Sequence, residues 1–205
     1  MSDLQDSPSS SSNLETISAT PVVATAKDSP AKFYVVAPKK FFILFFVTLG
    51  LYTVAWSYQH WAHFKRATKD DDIWPGPRGL FSIFFIHSLG RMIEGTLKQK
   101  AIKQGWDSGP VATMFVIVYL GINVLDRMAA RGIGSPITDI LSLVLLPLLC
   151  NQLYSFQQAA NGACDDAKGT SNSRLNWVNW VWIVLGSVLW LLILIGTLDA
   201  VLHAN

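Results

Sequence analysis

Charged residues are scarce in this sequence, and their scarcity indicates its class. Asp, Glu, Lys and Arg make up 15% of the 205 residues, against about 25% in an ordinary soluble protein. Hydrophobic residues make up 51%, and the mean hydropathy is positive. A net charge of +2 without a dense basic tract argues against binding nucleic acid through its phosphates. The sequence therefore predicts a membrane protein surrounded by a lipid bilayer.

Cysteine and the motifs of common enzymes are also scarce. Only Cys150 and Cys164 are present, too few for a disulfide framework or a zinc site. His60 and His63 share a helix face, but no third ligand stands at a useful spacing. There is no nucleophile elbow, P-loop or HExxH motif. We therefore expect no enzymatic activity, no cofactor and no bound metal.

The N-terminal segment differs in composition from the rest of the chain. Residues 1–32 are rich in Ser, Thr, Ala and Pro and show no hydrophobic periodicity, which is typical of a disordered tail. They also lack the basic start and apolar core of a signal peptide. We predict a tail over 1–32 and a transmembrane helical domain over 33–205.

The first long apolar run has no charge between Phe41 and Trp61. A run of about 20 apolar residues suits a bilayer-spanning helix, which we place at 41–62. Amphipathic rings prefer the membrane–water boundary, and four of them lie in its C-terminal half. These predicted interface anchors are Tyr52, Trp56, Tyr58 and Trp61.

Three further runs predict spans at about 110–126, 136–154 and 177–200. The last span carries three more predicted interface anchors, Trp177, Trp180 and Trp182. Between the first two spans, the apolar core from Leu80 to Gly90 is about half the length a span needs. We predict a short amphipathic or re-entrant helix over 79–103, with five spans as the alternative. The fold class is an all-α polytopic membrane bundle of four spans plus this helix.

Ionisable side chains at membrane depth are costly and are candidates for function. The candidates are His87, Asp126, Arg127, Asp139 and Asp199. Asp126 and Arg127 stand at the end of a span, and Asp139 lies in the first turn after a Ser-Pro cap. We expect structural roles for all five, with a proton or ion relay as the alternative.

Three blocks of residues resemble a family of small, uncharacterised bacterial inner-membrane proteins. In that family the first helix ends in a signature of the kind LYxxYWFYKNW, and here residues 51–61 read LYTVAWSYQHW. Residues 77–85, PRGLFSIFF, are similar to the next block of the family, and 172–180, NSRLNWVNW, to its last. The resemblance implies a membrane protein of the bacterial inner membrane and brings no activity with it.

These observations favour a non-catalytic, multi-pass protein that acts by contact with another membrane protein. One concrete form is an immunity protein that occludes a pore-forming, membrane-targeting toxin. The alternative is a small transporter or channel subunit, which requires His87, Asp126 and Asp139 to converge on one water-accessible cavity. The distribution of Lys and Arg allows two topologies. In one, residues 80–90 span the membrane and the N-terminal tail is cytoplasmic; in the other, residues 80–90 lie on the membrane surface and the tail is outside. Both topologies place Lys98 to Lys103 in the cytoplasm and Asn205 outside.

Overall fold

The computed structural model describes residues 31–102 and 105–203, with the backbone alone for 197–203. Nearly all of the predicted tail, residues 1–30, lies outside the described residues. The described residues form helices, one 3₁₀ turn and no strand, which confirms the all-α prediction for this part of the chain. The helices are α1 (Pro38–Val47), α2 (Tyr52–Thr68), α3 (Pro75–Leu80), α4 (Ser82–Gln99), α5 (Ser108–Ala129), α6 (Ile137–Ala163) and α7 (Trp177–His203).

Three helices are long and apolar enough to cross a bilayer: α5, α6 and α7 as far as Gly196. They correspond to the predicted spans 110–126, 136–154 and 177–200, although the candidate span of α7 ends at Gly196 and α6 continues to Ala163. Neither α1 nor α2 is among them, so the described residues support three of the four predicted spans. The long apolar helices identify the chain as a membrane protein.

The segment 41–62, predicted as one spanning helix, is interrupted in the structure. Helix α1 ends at Val47, and Leu49 and Gly50 adopt φ angles of 52° and 83°, which reverse the chain before α2. The rings of Phe41 and Tyr52 lie 6.2 Å apart, whereas eleven residues of continuous helix would separate their Cα atoms by about 16 Å. The two helices therefore form an antiparallel hairpin. Ten residues of α1 reach about 15 Å, half the hydrocarbon thickness.

The turn between α1 and α2 is stabilised by its own threonine and by α7. Thr48 Oγ1 accepts a hydrogen bond from the Tyr52 backbone N–H at 2.9 Å, which supplies a partner to the start of α2. Trp190 Nε1 on α7 donates to the Phe46 carbonyl at 3.2 Å. Gly186 lets α7 approach closely, because a Cβ there would lie 2.2 Å from a backbone oxygen of α1. The hairpin tip is thus fixed against a candidate span.

The predicted helix over 79–103 is divided into α3 and α4 at Phe81. Helix α4 packs beside α5, where Glu94 Oε2 accepts hydrogen bonds from the Ser108 hydroxyl at 2.6 Å and its backbone N–H at 3.3 Å. Lys98 Nζ pairs with Glu94 Oε1 at 2.5 Å. The hydrogen bond from Lys98, followed by that from the Ser108 side chain, lowers the pKa of Glu94 to about 2. These contacts fix the C-terminal half of α4 at the N-terminus of α5.

The predicted interface anchors divide into buried and exposed groups. Tyr52, Trp56 and Trp61 are 3%, 0% and 0% exposed, so they belong to the protein core rather than to a membrane boundary. The physical reason is the hairpin, which turns this face of α2 inward against α4 and α6. The remaining anchors are Tyr58, Trp177 and Trp180, which are exposed, and Trp182, which is half-buried.

Candidate functional site

An extended segment, residues 33–37, lies against the C-terminal half of α6 and is held there by side-chain amides. Asn161 Oδ1 accepts from the Val36 N–H at 3.2 Å, while Asn161 Nδ2 donates to the Val36 carbonyl at 3.0 Å. Gln157 Nε2 donates to the Tyr34 carbonyl at 2.9 Å. We call residues 33–37 the strap. Its backbone groups are satisfied by amides much as a neighbouring strand would satisfy them.

Gln157 stands at the centre of a buried polar network. The Trp56 Nε1–H can only donate, so its 2.6 Å contact fixes the Gln157 oxygen on that side. His60 Nε2 also contacts this oxygen, at 3.3 Å, and therefore carries its proton on Nε2. The amide nitrogen donates to the strap and to Asn161 Oδ1, the latter at 2.7 Å. All four hydrogen-bonding positions of the amide are occupied.

His60 is held as a neutral ring. It is fully buried, and burial lowers its pKa to about 3, against an opposing effect of the Gln157 hydrogen bond. Its Nδ1 has no hydrogen-bond partner among the described residues. The nearby His63 Nδ1 contacts the Ala31 carbonyl at 3.4 Å. No group of three metal-ligating side chains occurs in the described part of the chain.

A second set of contacts holds the other side of the strap. Asn172 Nδ2 donates to the Val35 carbonyl at 2.8 Å. The buried Lys40 donates to Asn172 Oδ1 at 2.6 Å and to the Arg174 carbonyl at 2.9 Å. Gly169 approaches the strap so closely that a Cβ there would lie 2.3 Å from a backbone oxygen. The strap is therefore enclosed between α6 and the loop that precedes α7.

At the opposite end of the helices, Asp126 and Asp139 line one cavity of about 790 Å³. Leu49, from the turn between α1 and α2, and Leu146 of α6 are among its apolar walls. Asp139 accepts a hydrogen bond from the Ser135 hydroxyl at 2.8 Å. Neither carboxylate forms an ion pair within the described residues. The structure thus brings together two of the three groups that a relay requires.

The other ionisable candidates lie elsewhere. His87 Nε2 contacts Thr113 Oγ1 at 3.3 Å, between α4 and α5, and is not among the residues that line the cavity. Arg127 is exposed at the C-terminal end of α5. The side chain of Asp199 lies outside the described residues. The three groups that the relay alternative requires, His87, Asp126 and Asp139, do not converge on one place.

Sequence reasoning missed the residues that build the strap site and one further polar residue. Gln157 and Asn161 lie four residues apart, in the polar stretch that follows the predicted span at 136–154. Their i,i+4 spacing, which places both amides on one helix face, was the available signal. Asn151 was also missed: it is exposed on α6 and makes no side-chain hydrogen bond to any described residue.

Comparison of the chain with family models, with curated proteins and with solved structures finds no match.

Proposed function

We propose that this chain is a non-catalytic, multi-pass membrane protein that acts by helix contact with another protein in the bacterial inner membrane. The observation that carries the proposal is Asn151, an amide exposed on a candidate span without a partner in the described residues. By contrast, Asn123 on α5 donates within its own helix, to the Tyr119 carbonyl at 2.8 Å. Side chains such as asparagine form hydrogen bonds between helices in membranes. A helix of another protein molecule, which includes a further copy of this chain, would supply the missing partner.

The depth of Asn151 supports this interpretation. The Trp106 Nε1–H donates to the Ser155 hydroxyl at 2.9 Å, which places the start of α5 level with Ser155. Asn151 is four residues earlier in α6, about 6 Å further into the apolar region. Lipid chains offer no hydrogen-bonding group at that depth, so an unpaired amide there is unfavourable.

The size of the complex tests the proposal. The protein is solubilised from its own membrane in a mild detergent and analysed by native electrophoresis and mass measurement. We expect a complex larger than the 22.6 kDa chain, and its loss in Asn151→Leu. The control is Asn123→Leu, which makes the same change at an amide satisfied within its own helix. A wild-type chain that migrates alone would refute the proposal.

A concrete form of this function is immunity to a pore-forming toxin. The similarity of residues 51–61 to a signature of bacterial inner-membrane proteins supports the location. Co-expression with a toxin encoded beside the gene, followed with a membrane-potential dye, provides the test. We expect the protected cell to keep its potential, and equal depolarisation with and without this protein would exclude immunity to that toxin.

The cavity favours a second candidate function, a small transporter or channel subunit. Asp126 and Asp139 line it, together with Leu49 from the turn between α1 and α2. Ionisable side chains at membrane depth are candidates for an ion or proton pathway. The test replaces Asp126 and Asp139 with Asn, and His87 with Gln, and measures function in cells. Loss of function in all three variants, with normal accumulation in the membrane, would favour this candidate over the first.

A further inference from the structure

Four residues of α6, each seven positions from the next, form one exposed line along the helix. Seven residues complete almost two full turns, so residues at this spacing lie above one another. Ile137 and Val144 are 72% and 62% exposed, and Asn151 and Gln158 are also exposed. We call these four residues the α6 stripe. Its immediate neighbours on the same side are exposed too, namely Ile140, Leu141, Pro147 and Leu148.

The side of α6 that faces away from the stripe is packed inside the protein, which holds the helix in place. This side carries Gln157, which is bonded to the strap, and Phe156, which is fully buried. A surface that is already ordered loses little conformational entropy when it binds. The four residues of the stripe are uncharged, so two copies of it would meet without like-charge repulsion. The stripe is therefore suited to contact with another helix.

We propose that the occupant of the α6 stripe is the α6 stripe of a second copy of this chain, an inference that rests on the proposed function. All copies of a membrane protein share one orientation, so a two-fold pair has its axis along the membrane normal. Such an axis places each residue opposite its own copy at the same depth. Asn151 then faces Asn151, and because an amide both donates and accepts, the pair satisfies itself.

The position of the amide in the stripe further supports self-association. A single asparagine within an apolar seven-residue repeat fixes the register of paired helices, because any shift separates the two amides. Gln158 lies one repeat further along and can pair in the same way near the polar end of α6. A symmetric pair thus aligns both amides at once. An unrelated helix would need an amide or similar group at each of two matching depths.

Co-purification of two differently tagged copies expressed in one membrane tests the proposal. We expect the wild-type copies to associate and Asn151→Leu to weaken association about tenfold, as loss of an interhelical hydrogen bond would. Asn151→Gln, which keeps the amide, should restore most of the association. Asn123→Leu is the matched control and should associate as wild type does, because its amide bonds within α5.

Cysteine cross-linking locates the contact. In a chain carrying Cys150→Ala and Cys164→Ser, a new cysteine is placed on the stripe by Ile137→Cys or Val144→Cys, both of which keep the Asn151 amide. The control is Val184→Cys, which lies on α7 and is 61% exposed. Mild oxidation should link the two stripe variants into dimers much faster than the α7 variant. Equal rates at all three positions would reflect random collision and would overturn the proposal.

The outcomes separate this inference from the proposed function. If tagged copies never associate, yet the wild-type chain still migrates in a larger complex that Asn151→Leu loses, the second copy is refuted and the proposed function stands. If the wild-type chain migrates alone, both are refuted. If copies associate and Asn151→Leu abolishes this, while the Asn123→Leu control still associates, the α6 stripe is the interface.

Discussion

The buried amide of Gln157 offers the sharpest test of how the strap is held. Leucine at this position is similar in size but removes every hydrogen bond of the amide. The Trp56 N–H and the Tyr34 carbonyl then lose their partners inside the protein. Each unsatisfied buried group costs about 1–3 kcal/mol, so Gln157→Leu should lower the free energy of unfolding by about 2–6 kcal/mol. That is a large part of the 5–15 kcal/mol of a typical protein.

Unfolding in detergent micelles, followed by circular dichroism against temperature or denaturant, measures this effect. Gln152→Leu is the matched control, because it makes the same change five residues earlier on α6, at a side chain that makes no hydrogen bond to the described residues. We expect the free energy of unfolding of the control to lie within about 1 kcal/mol of the wild-type value. If Gln157→Leu also changed the free energy of unfolding by no more than the control does, the amide network would not be what holds the strap.

Three further predictions concern other parts of the chain. Gly169→Ala should destabilise the protein by more than Gly132→Ala in the same unfolding assay, because both have positive φ but only Gly169 lies against the Val36 carbonyl. The pKa of Glu94 is lowered from 4.5 to about 2, so its stabilising contribution is present above pH 4.5 and is lost as the pH falls towards 2. Glu94→Gln should therefore flatten the stability profile in that window. Alkaline phosphatase fused after Asn205 should be active and a fluorescent protein there should be dark, whereas a bright fluorophore would contradict the predicted topology.

The long helices were predictable because they depend on a single property of the sequence, the length of a continuous apolar run. Uninterrupted apolar runs led to α5, α6 and α7, and the structure has candidate spans at these places. The C-terminal part of α6 was not predictable by that rule. This part resembles a loop in composition because it is rich in amides, yet two of them, Gln157 and Asn161, are buried and bonded to the strap. A polar stretch of sequence can belong to the protein core when its side chains supply hydrogen-bond partners to the backbone of a distant segment.

The reversal between α1 and α2 was missed for a different physical reason. Gly50 is visible in the sequence, but an isolated glycine is tolerated in a membrane helix and does not indicate a turn by itself. The conformation depends on tertiary contacts, such as Trp190 to the Phe46 carbonyl and the close approach of Gly186. Local composition cannot report contacts that join residues more than a hundred positions apart. The same reversal explains why rings assigned to the membrane boundary, such as Trp56, are buried.

The packing of side chains between the cavity and the strap favours a function by contact with a partner helix over a function as a transporter. Leu146 lines the cavity, and towards the strap α6 next presents Leu149, Leu153 and Phe156, which are 4%, 1% and 0% exposed. An ion leaving the two carboxylates for the other end of α6 would meet this packed apolar layer, so transport requires several core side chains to move together. Contact with a partner helix requires no such movement, because Asn151 is already exposed on the outside of the bundle.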